Sequence, residues 1–293
     1  MEGGYTSHHG SMKFDDLEAK MREFEGLGDD ALPSDLHLVA RLDGRGFTSL
    51  TKQRLELERP FDARMRDAML ATTRHLMQCG FAIRYAYTQS DEISLWFSAR
   101  ERSFARKPRK WFSVLAGEAS ARFTAALAEL PRADPAHTHT REGDPMLGVF
   151  DCRLILLPEL EDVVDYFRWR QQDAVRNSMI GHVYWQLRKS GLSARRATSA
   201  MEGLGHAALG ERLASFGVDF ESRPTWERHG VGLTWTEVEA EGVDPRSGAR
   251  TSATRRRVAV DLELPGGVDY SSWLRALQAA PAPEEPASEP ELG

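Results

Sequence analysis

Strand and helix patterns follow one another in a specific order through the first half of the chain. In chain order they occupy residues 35–42 (strand), 60–80 (helix), 81–87 and 93–97 (strands), 111–130 (helix) and 149–157 (strand). The order β-α-β-β-α-β is that of the ferredoxin-like fold, which is also the palm of many polymerases and nucleotide cyclases. The sequence therefore predicts an α+β protein with an antiparallel sheet and helices on one face.

Two short acidic motifs lie at turns of this predicted sheet. The first, RLDGRGF at 41–47, follows the first strand, and the second, QSDE at 89–92, forms the tip of the predicted hairpin. Each motif alone is more often an ordinary turn or a solvated loop. Together they predict that Asp43 and Asp91 face each other across a sheet edge. Two aspartates so placed can hold a pair of Mg²⁺ ions that bridge nucleotide phosphates.

The overall charge argues against a protein that binds nucleic acid through bulk basicity. The chain has 293 residues and a formal net charge of -6, with ordinary apolar and charged fractions of 41% and 28%. Any RNA contact must therefore come from local basic clusters. Such clusters lie at 100–110, 195–196 and 246–257.

Cysteine usage and hydropathy indicate the compartment. The two isolated cysteines, Cys79 and Cys152, favour a reducing environment and argue against zinc. The chain has no run of 18 apolar residues and no signal-peptide pattern, so we expect a cytoplasmic protein with no membrane partner. The pair His137 and His139 has no nearby cysteine or carboxylate and is expected to be a solvated loop.

The second half of the chain predicts an extension packed on the core. A helical pattern at 160–189 is unusually long, which leads us to expect a break near Gly181. The patterns that follow are two short helices at 191–216 with Ser193 and Ser199 as N-caps, a hairpin of 231–238 and 257–264 joined by a basic loop, and a helix at 271–279. We divide the chain into a vector-derived leader (1–11), a palm-like catalytic core (12–158), a helical and hairpin extension (159–279) and a disordered tail (280–293).

Five motifs in one order resemble those of the tRNA-His guanylyltransferase family. Besides the two acidic motifs, FDCR at 150–153, DYFRWRQQD at 165–173 and RPTWERHG at 223–230 are similar to family segments, and GLS at 191–193 also falls in the family's order. The resemblance covers about residues 36–236 and is strongest to the Thg1-like proteins, which are 3′-to-5′ RNA polymerases. It implies a nucleotidyltransferase that adds nucleotides to the 5′ end of tRNA, with ATP and GTP as substrates, two Mg²⁺ ions and a homotetrameric assembly.

The resemblance also implies roles for individual residues. The metal ligands would be Asp43, Asp91 and the backbone carbonyl of Gly44, with Glu92 as a further catalytic residue. The residues implied to bind nucleotide are Arg41, Gly44, Arg45, Gly46, Phe47, Arg59, Ser90 and Lys110. Those implied to bind tRNA are Arg109, Arg170, Asn177, Arg195 and Arg228.

One departure from the family pattern affects the expected substrate. Where the eukaryotic guanylyltransferases carry His-Ile-Asn-Asn, this chain has VRNS at 175–178, so only Asn177 is retained. Because Thg1-like relatives often lack that motif, the sequence favours templated repair of 5′-truncated tRNA over obligatory G-1 addition to tRNA-His. The alternatives are a palm-fold nucleotide cyclase that acts on free nucleoside triphosphates and a catalytically inactive tRNA-binding protein.

Overall fold

The computed structural model describes residues 14–25, 30–131, 146–243 and 250–279. Their helices are α1 (Phe14–Glu25), α2 (Phe47–Ser49), α3 (Ala63–Gln78), α4 (Pro108–Leu127), α5 (Leu160–Lys189), α6 (Ala194–Ser199), α7 (His206–Ser215), α8 (Thr225–His229) and α9 (Gly267–Ala279). The strands are β1 (His37–Arg45), β2 (Ile83–Gln89), β3 (Glu92–Phe97), β4 (Val149–Leu157), β5 (Val231–Val243) and β6 (Arg250–Asp261). A π-helical turn at Leu50–Arg54 and a 3₁₀ turn at Ser103–Arg106 complete the regular structure of these residues.

The six strands form one antiparallel sheet in the order β4-β1-β3-β2-β5-β6. The first four strands have the ferredoxin-like arrangement, so the predicted fold is confirmed. The hairpin β5-β6 pairs with β2 and lengthens the same sheet. The C-terminal extension is therefore continuous with the palm sheet.

Helices cover both faces of the sheet because its strands are apolar on both sides. Along β1, Leu38, Ala40 and Leu42 pack with α3 and α4, as the sequence predicts, whereas Val39 faces the other way. That second face is covered by α5 and α9. Burial on both sides explains why β3 is buried at every position and shows no polar alternation.

The long helix α5 is continuous, so the break expected near Gly181 is wrong. It runs for 30 residues, about 45 Å at 1.5 Å per residue, from a capping box formed by Glu159 and Asp162. On either side of Gly181, Met179 and Val183 are buried against α7. Burial of these side chains offsets the cost of about 1 kcal/mol that one internal glycine imposes on a helix.

Other predicted boundaries also change. Ser193 caps α6 as predicted, but Ser199 is the last residue of that helix and α7 begins after Gly205. Helix α4 begins at Pro108, three residues earlier than predicted, because proline suits the first helical position. Helix α9 likewise begins four residues early, at Gly267.

Strands β5 and β6 are longer than predicted. They pair continuously from Gly232 with Asp261 to Val243 with Arg250, so the cations assigned to a basic loop at 250 and 255–257 lie on β6 itself. The leader, the pair His137 and His139, and the acidic tail lie outside the described residues. No described helix combines the length and apolar character that a membrane crossing requires.

Asp62 fixes the start of α3. Its carboxylate accepts hydrogen bonds from the backbone N–H groups of Glu58 at 2.7 Å and Arg64 at 2.8 Å, and from Nε of Arg64 at 2.9 Å. Pro60, predicted to lie in the first turn, precedes the helix instead. The side-chain hydrogen bonds from Arg64 are the main cause that lowers the pKa of Asp62 to about 2, with burial opposing the shift.

We expect Asp62→Ala to lower the free energy of unfolding by about 1–2 kcal/mol, the usual value of an N-cap. Because the folded pKa is depressed, the contribution of the charge is complete above the unfolded pKa of about 3.9 and is lost as pH falls through about 2. Urea unfolding at pH 7 and at pH 3 measures both effects. Ala63→Ser, at an exposed position of the same helix, is the control, and an equal loss in this variant would contradict the assignment.

Candidate active site

Strand β1 carries Asp43 into the middle of a row of carboxylates. The strand continues to Arg45, so Asp43 and Gly44 lie within it and not beyond its end. Asp43 stands directly opposite Glu92 on β3 and opposite Asp151 on β4. Directly paired residues share a face, and this is the face that α5 covers. The sequence analysis gave Asp151 no role beyond its place in the FDCR motif. The pairing of β1 with β4 places it beside Asp43.

The β2-β3 hairpin brings Asp91 to the same edge. Ser90 has φ +52°, a left-handed conformation that closes the two-residue turn, and its hydroxyl donates to Oδ1 of Asp91 at 3.0 Å. The N–H of Gly44 donates to the backbone carbonyl of Asp91 at 3.0 Å, which joins the two motifs directly. Burial raises the pKa of the Asp91 carboxyl, and the charge of Asp43 adds to this shift.

The donor set at this edge fits a hard divalent cation. Neither Asp43 nor Asp91 forms an ion pair with a cation of the described chain, so their facing charges have no protein counterion. At Gly44 a Cβ atom would lie 2.5 Å from the ring of Phe47, so only glycine fits where backbone and ring approach each other. No three or more His, Cys, Asp or Glu side chains in the described ranges form a metal cluster. Two carboxylates and a carbonyl suit Mg²⁺, which keeps water or phosphate as its remaining ligands.

Glu92 is held by a buried ion pair. Nε and Nη2 of Arg170 donate to its two carboxylate oxygens at 2.7 and 2.8 Å, and Nη2 also donates to Asp173 at 3.0 Å. Burial raises the pKa of Glu92, and the Arg170 guanidinium opposes the shift. The ion pair between Glu92 and Arg170 thus joins the sheet to α5. The resemblance implied a catalytic role for Glu92 and a tRNA-binding role for Arg170. Their direct roles stay predictions.

Two pockets meet at the hairpin tip. The first, of about 500 Å³, lies between the Phe47–Asp62 segment, the start of α3 and the middle of α5. The second, of about 480 Å³, lies over Asp43, Asp91 and Glu92. Both are lined by Ser90, Asp91 and Asn177, so ligands in the two pockets would meet beside Asp91.

Cations on aromatic rings surround the first pocket. The ammonium of Lys52 lies 5.2 Å from the ring centroid of Tyr184, and the guanidinium of Arg59 lies 5.3 Å from that of Trp185. Arg59 also donates to the carbonyl of Thr51, and burial lowers its pKa. The sequence analysis identified Arg59 as a site residue but not Lys52, Tyr184 or Trp185. No local sequence pattern indicates contacts between residues more than a hundred positions apart.

Arg41 lines the second pocket and has a buried N–H without a hydrogen-bond partner. Nε of Arg41 makes no hydrogen bond and lies 3.9 Å from the Glu92 carboxylate. An unsatisfied buried N–H costs free energy, and the positive charge of the guanidinium suits an anionic ligand in this pocket. Trp169 also lines this pocket and is half exposed. The sequence analysis gave it no role beyond its place in the DYFRWRQQD motif.

Several residues implied by resemblance lie outside both pockets. They are Arg45 at the exposed end of β1, Gly46 as N-cap of α2 with φ +74°, Arg109 and Lys110 in the first turn of α4, exposed Arg195 on α6, and Arg228 on α8. The first turn of α4 follows the end of β3 opposite to Asp91. Arg228 donates to the carbonyl of Arg223 at 3.0 Å and to Glu221 at 2.6 Å. The structure does not bring these side chains together at the carboxylates, and their roles stay predictions.

A palm sheet with facing aspartates at a strand and a neighbouring hairpin defines the class of palm-type enzymes that act on nucleotides. Comparison with known proteins is more specific. The family model described as tRNAHis guanylyltransferase matches residues 18–158, and the Thg1 C terminal domain matches 161–262. The chain belongs to the tRNA-His guanylyltransferase family and is a nucleotidyltransferase, which confirms the resemblance.

Curated relatives and solved structures agree with this assignment. The tRNA(His) guanylyltransferase of Neurospora crassa is 30% identical over 206 residues, 69% of this chain and 67% of that protein. Its counterpart in Debaryomyces hansenii is 26% identical over 265 residues, 87% of this chain and 96% of that protein. Structures of a bacterial Thg1-like protein with ATP and with GTP are 24% and 23% identical, with TM-scores of 0.67 and 0.61, and each comparison covers 89% of this chain and 98% of that one. At that identity the structures support the fold.

The buried pair predicts a large effect on stability. Arg170→Ala leaves Glu92 buried without its counterion, so we expect the free energy of unfolding to fall by about 3–5 kcal/mol. Arg168→Ala on the same helix breaks an exposed pair with Asp165 at 3.1 Å and should cost less than about 1 kcal/mol. Urea unfolding compares the two. If both variants lose the same amount, Arg170 does not hold Glu92 in solution.

Proposed function

We propose that the protein is a Mg²⁺-dependent 3′-to-5′ nucleotidyltransferase that adds nucleotides to the 5′ end of tRNA. Templated repair of 5′-truncated tRNA is its main reaction, ahead of G-1 addition to tRNA-His. The observation that carries the proposal is the meeting of two pockets at Asp91. One pocket suits a nucleoside triphosphate and the other an RNA end, which is what joining the two requires.

The first pocket is assigned to the nucleoside triphosphate. Lys52 and Arg59 are cations at its wall that can meet phosphate oxygens, and Phe47, Tyr184 and Trp185 give it apolar surface for a base. A triphosphate placed so that its phosphates approach Ser90 lies beside the two aspartates. The structures of a bacterial Thg1-like protein in complex with ATP and with GTP support a triphosphate site in this fold.

The reaction runs in two phosphoryl-transfer steps. The 5′-phosphate of the tRNA attacks the α-phosphate of ATP. Pyrophosphate is released, and the 5′ end of the RNA becomes adenylylated. The 3′-hydroxyl of the incoming nucleotide then attacks that 5′-phosphate, and AMP leaves as the new phosphodiester forms. Two Mg²⁺ ions, held by Asp43, Asp91 and the carbonyl of Gly44, would neutralise phosphate charge and lower the pKa of the attacking hydroxyl.

The residues of the chain position these groups. The guanidinium of Arg41 lines the second pocket and would meet the 5′-phosphate there, and Asn177 on α5 lines both pockets. The Glu92–Arg170 pair keeps the hairpin tip and α5 in fixed relation. Because the incoming base pairs with the opposing strand, the protein need not read base identity.

Basic residues away from the pockets are assigned to the RNA backbone. Exposed cations lie at 100, 102, 109 and 110, at 195–196 and along β6 at 255–257. Binding through phosphates weakens as salt rises. We also propose a homotetramer in the cytoplasm, by analogy with the family, and the two free cysteines support a reducing compartment.

The test is extension of a tRNA that lacks its first nucleotide, with Mg²⁺, ATP and each nucleoside triphosphate in turn. We expect growth by the nucleotide that pairs with the opposing base, and a change of that base should change the nucleotide added. Asp43→Asn and Asp91→Asn should each reduce the rate by more than about 100-fold, since both remove a metal ligand.

Glu211→Gln removes a carboxylate at an exposed position of α7 and should leave the rate unchanged. A cyclic product from free nucleoside triphosphate, without extension of any tRNA, would instead establish the cyclase. Binding of tRNA with neither product would indicate an inactive tRNA-binding protein.

A further inference from the structure

Trp169 is the single apolar side chain among the described residues that line the second pocket. The other nine are charged or polar: Arg41, Asp43, Gln89, Ser90, Asp91, Glu92, Arg170, Asp173 and Asn177. Trp169 is 52% exposed, although neighbouring Tyr166 and Phe167 on α5 are buried against the sheet. Core packing therefore does not account for an indole at this position.

The ring is held in place although it is open to solvent. The guanidinium of Arg170 lies 4.4 Å from the ring centroid and that of Arg41 lies 6.0 Å from it. Tyr166 packs edge to face at 6.0 Å. Arg170 is itself fixed by its two hydrogen bonds to Glu92. The protein thus presents a flat, oriented aromatic surface beside its catalytic carboxylates.

The chemistry around the ring suits a nucleotide at the end of a strand. A nucleobase stacks on an aromatic face, and its phosphate can meet the positive guanidinium of Arg41, which lines the same pocket. The triphosphate is already provided for by the separate first pocket, which has its own aromatic rings and cations. The occupant of the second pocket is then the RNA.

Building on the proposed function, we infer that Trp169 is a stacking platform for the terminal base at the 5′ end of the RNA substrate. Stacking on indole is tolerant of base identity because every base has a π face. This property suits an enzyme whose substrate end differs from one truncated tRNA to the next. Trp169 would hold the accepting 5′-phosphate in place while the incoming nucleotide pairs with the opposing strand.

The test places 2-aminopurine as the 5′-terminal nucleotide of a tRNA that lacks its first residue. We expect its fluorescence to be quenched on binding to the wild-type protein and to Trp169→Phe. Trp169→Leu keeps apolar bulk without an aromatic face and should lose the quench, with affinity for this RNA about 10-fold weaker. Trp185→Leu, which changes the first pocket, should keep the quench.

Three outcomes would overturn the inference. An equal quench in Trp169→Leu shows that the ring does not stack on the terminal base. Loss of ATP affinity by calorimetry, with RNA affinity unchanged, assigns the ring to the triphosphate. A changed oligomeric state of Trp169→Leu in sedimentation makes the ring a subunit contact. Extension by the wild-type protein, measured alongside, separates these outcomes from failure of the proposed function, in which the wild type neither binds nor extends the tRNA.

Discussion

The ion pair between Glu92 and Arg170 is the interaction on which the site depends. It joins β3 to α5 across 78 positions of sequence, and both side chains are buried. A buried pair rarely adds net stability over apolar packing, so its value lies in the geometry that it fixes. It sets where α5 crosses the sheet, and with it the positions of Trp169, Asp173 and Asn177 around the carboxylates.

The environment separates carboxylates that sequence alone treats as equivalent. Asp91 and Glu92 are adjacent, but the hairpin sends Glu92 toward a guanidinium and leaves Asp91 beside another carboxylate. Like charges without a counterion favour a divalent cation, whereas a carboxylate with a bidentate partner is already satisfied. This difference supports the proposal that Asp43 and Asp91 are the metal ligands, whereas Glu92 is held by Arg170.

Local patterns predicted what depends on local physics. Short apolar segments located the four palm strands, and the turn chemistry at 89–92 located the hairpin tip that carries Asp91. Contacts between distant segments left no such pattern. The partner of Arg170, the exposure of Trp169 and the distance of Lys110 from the carboxylates all depend on how α4 and α5 pack. The break predicted at Gly181 was wrong because the free-energy cost of one glycine in a helix is smaller than the stabilisation from the side chains buried on either side of it.

The predicted boundary at residue 158 separates two segments of the sequence. The packing between these segments argues against two domains that fold independently. The two family models also meet there, at 158 and 161. Residues 12–158 alone would leave one edge of β2 unpaired and would expose Val39, Tyr85 and Trp96, which α5 and α9 bury. An open apolar face and a free strand edge are unfavourable in water. The extension therefore completes the palm, and the second pocket exists only because α5 forms one of its walls.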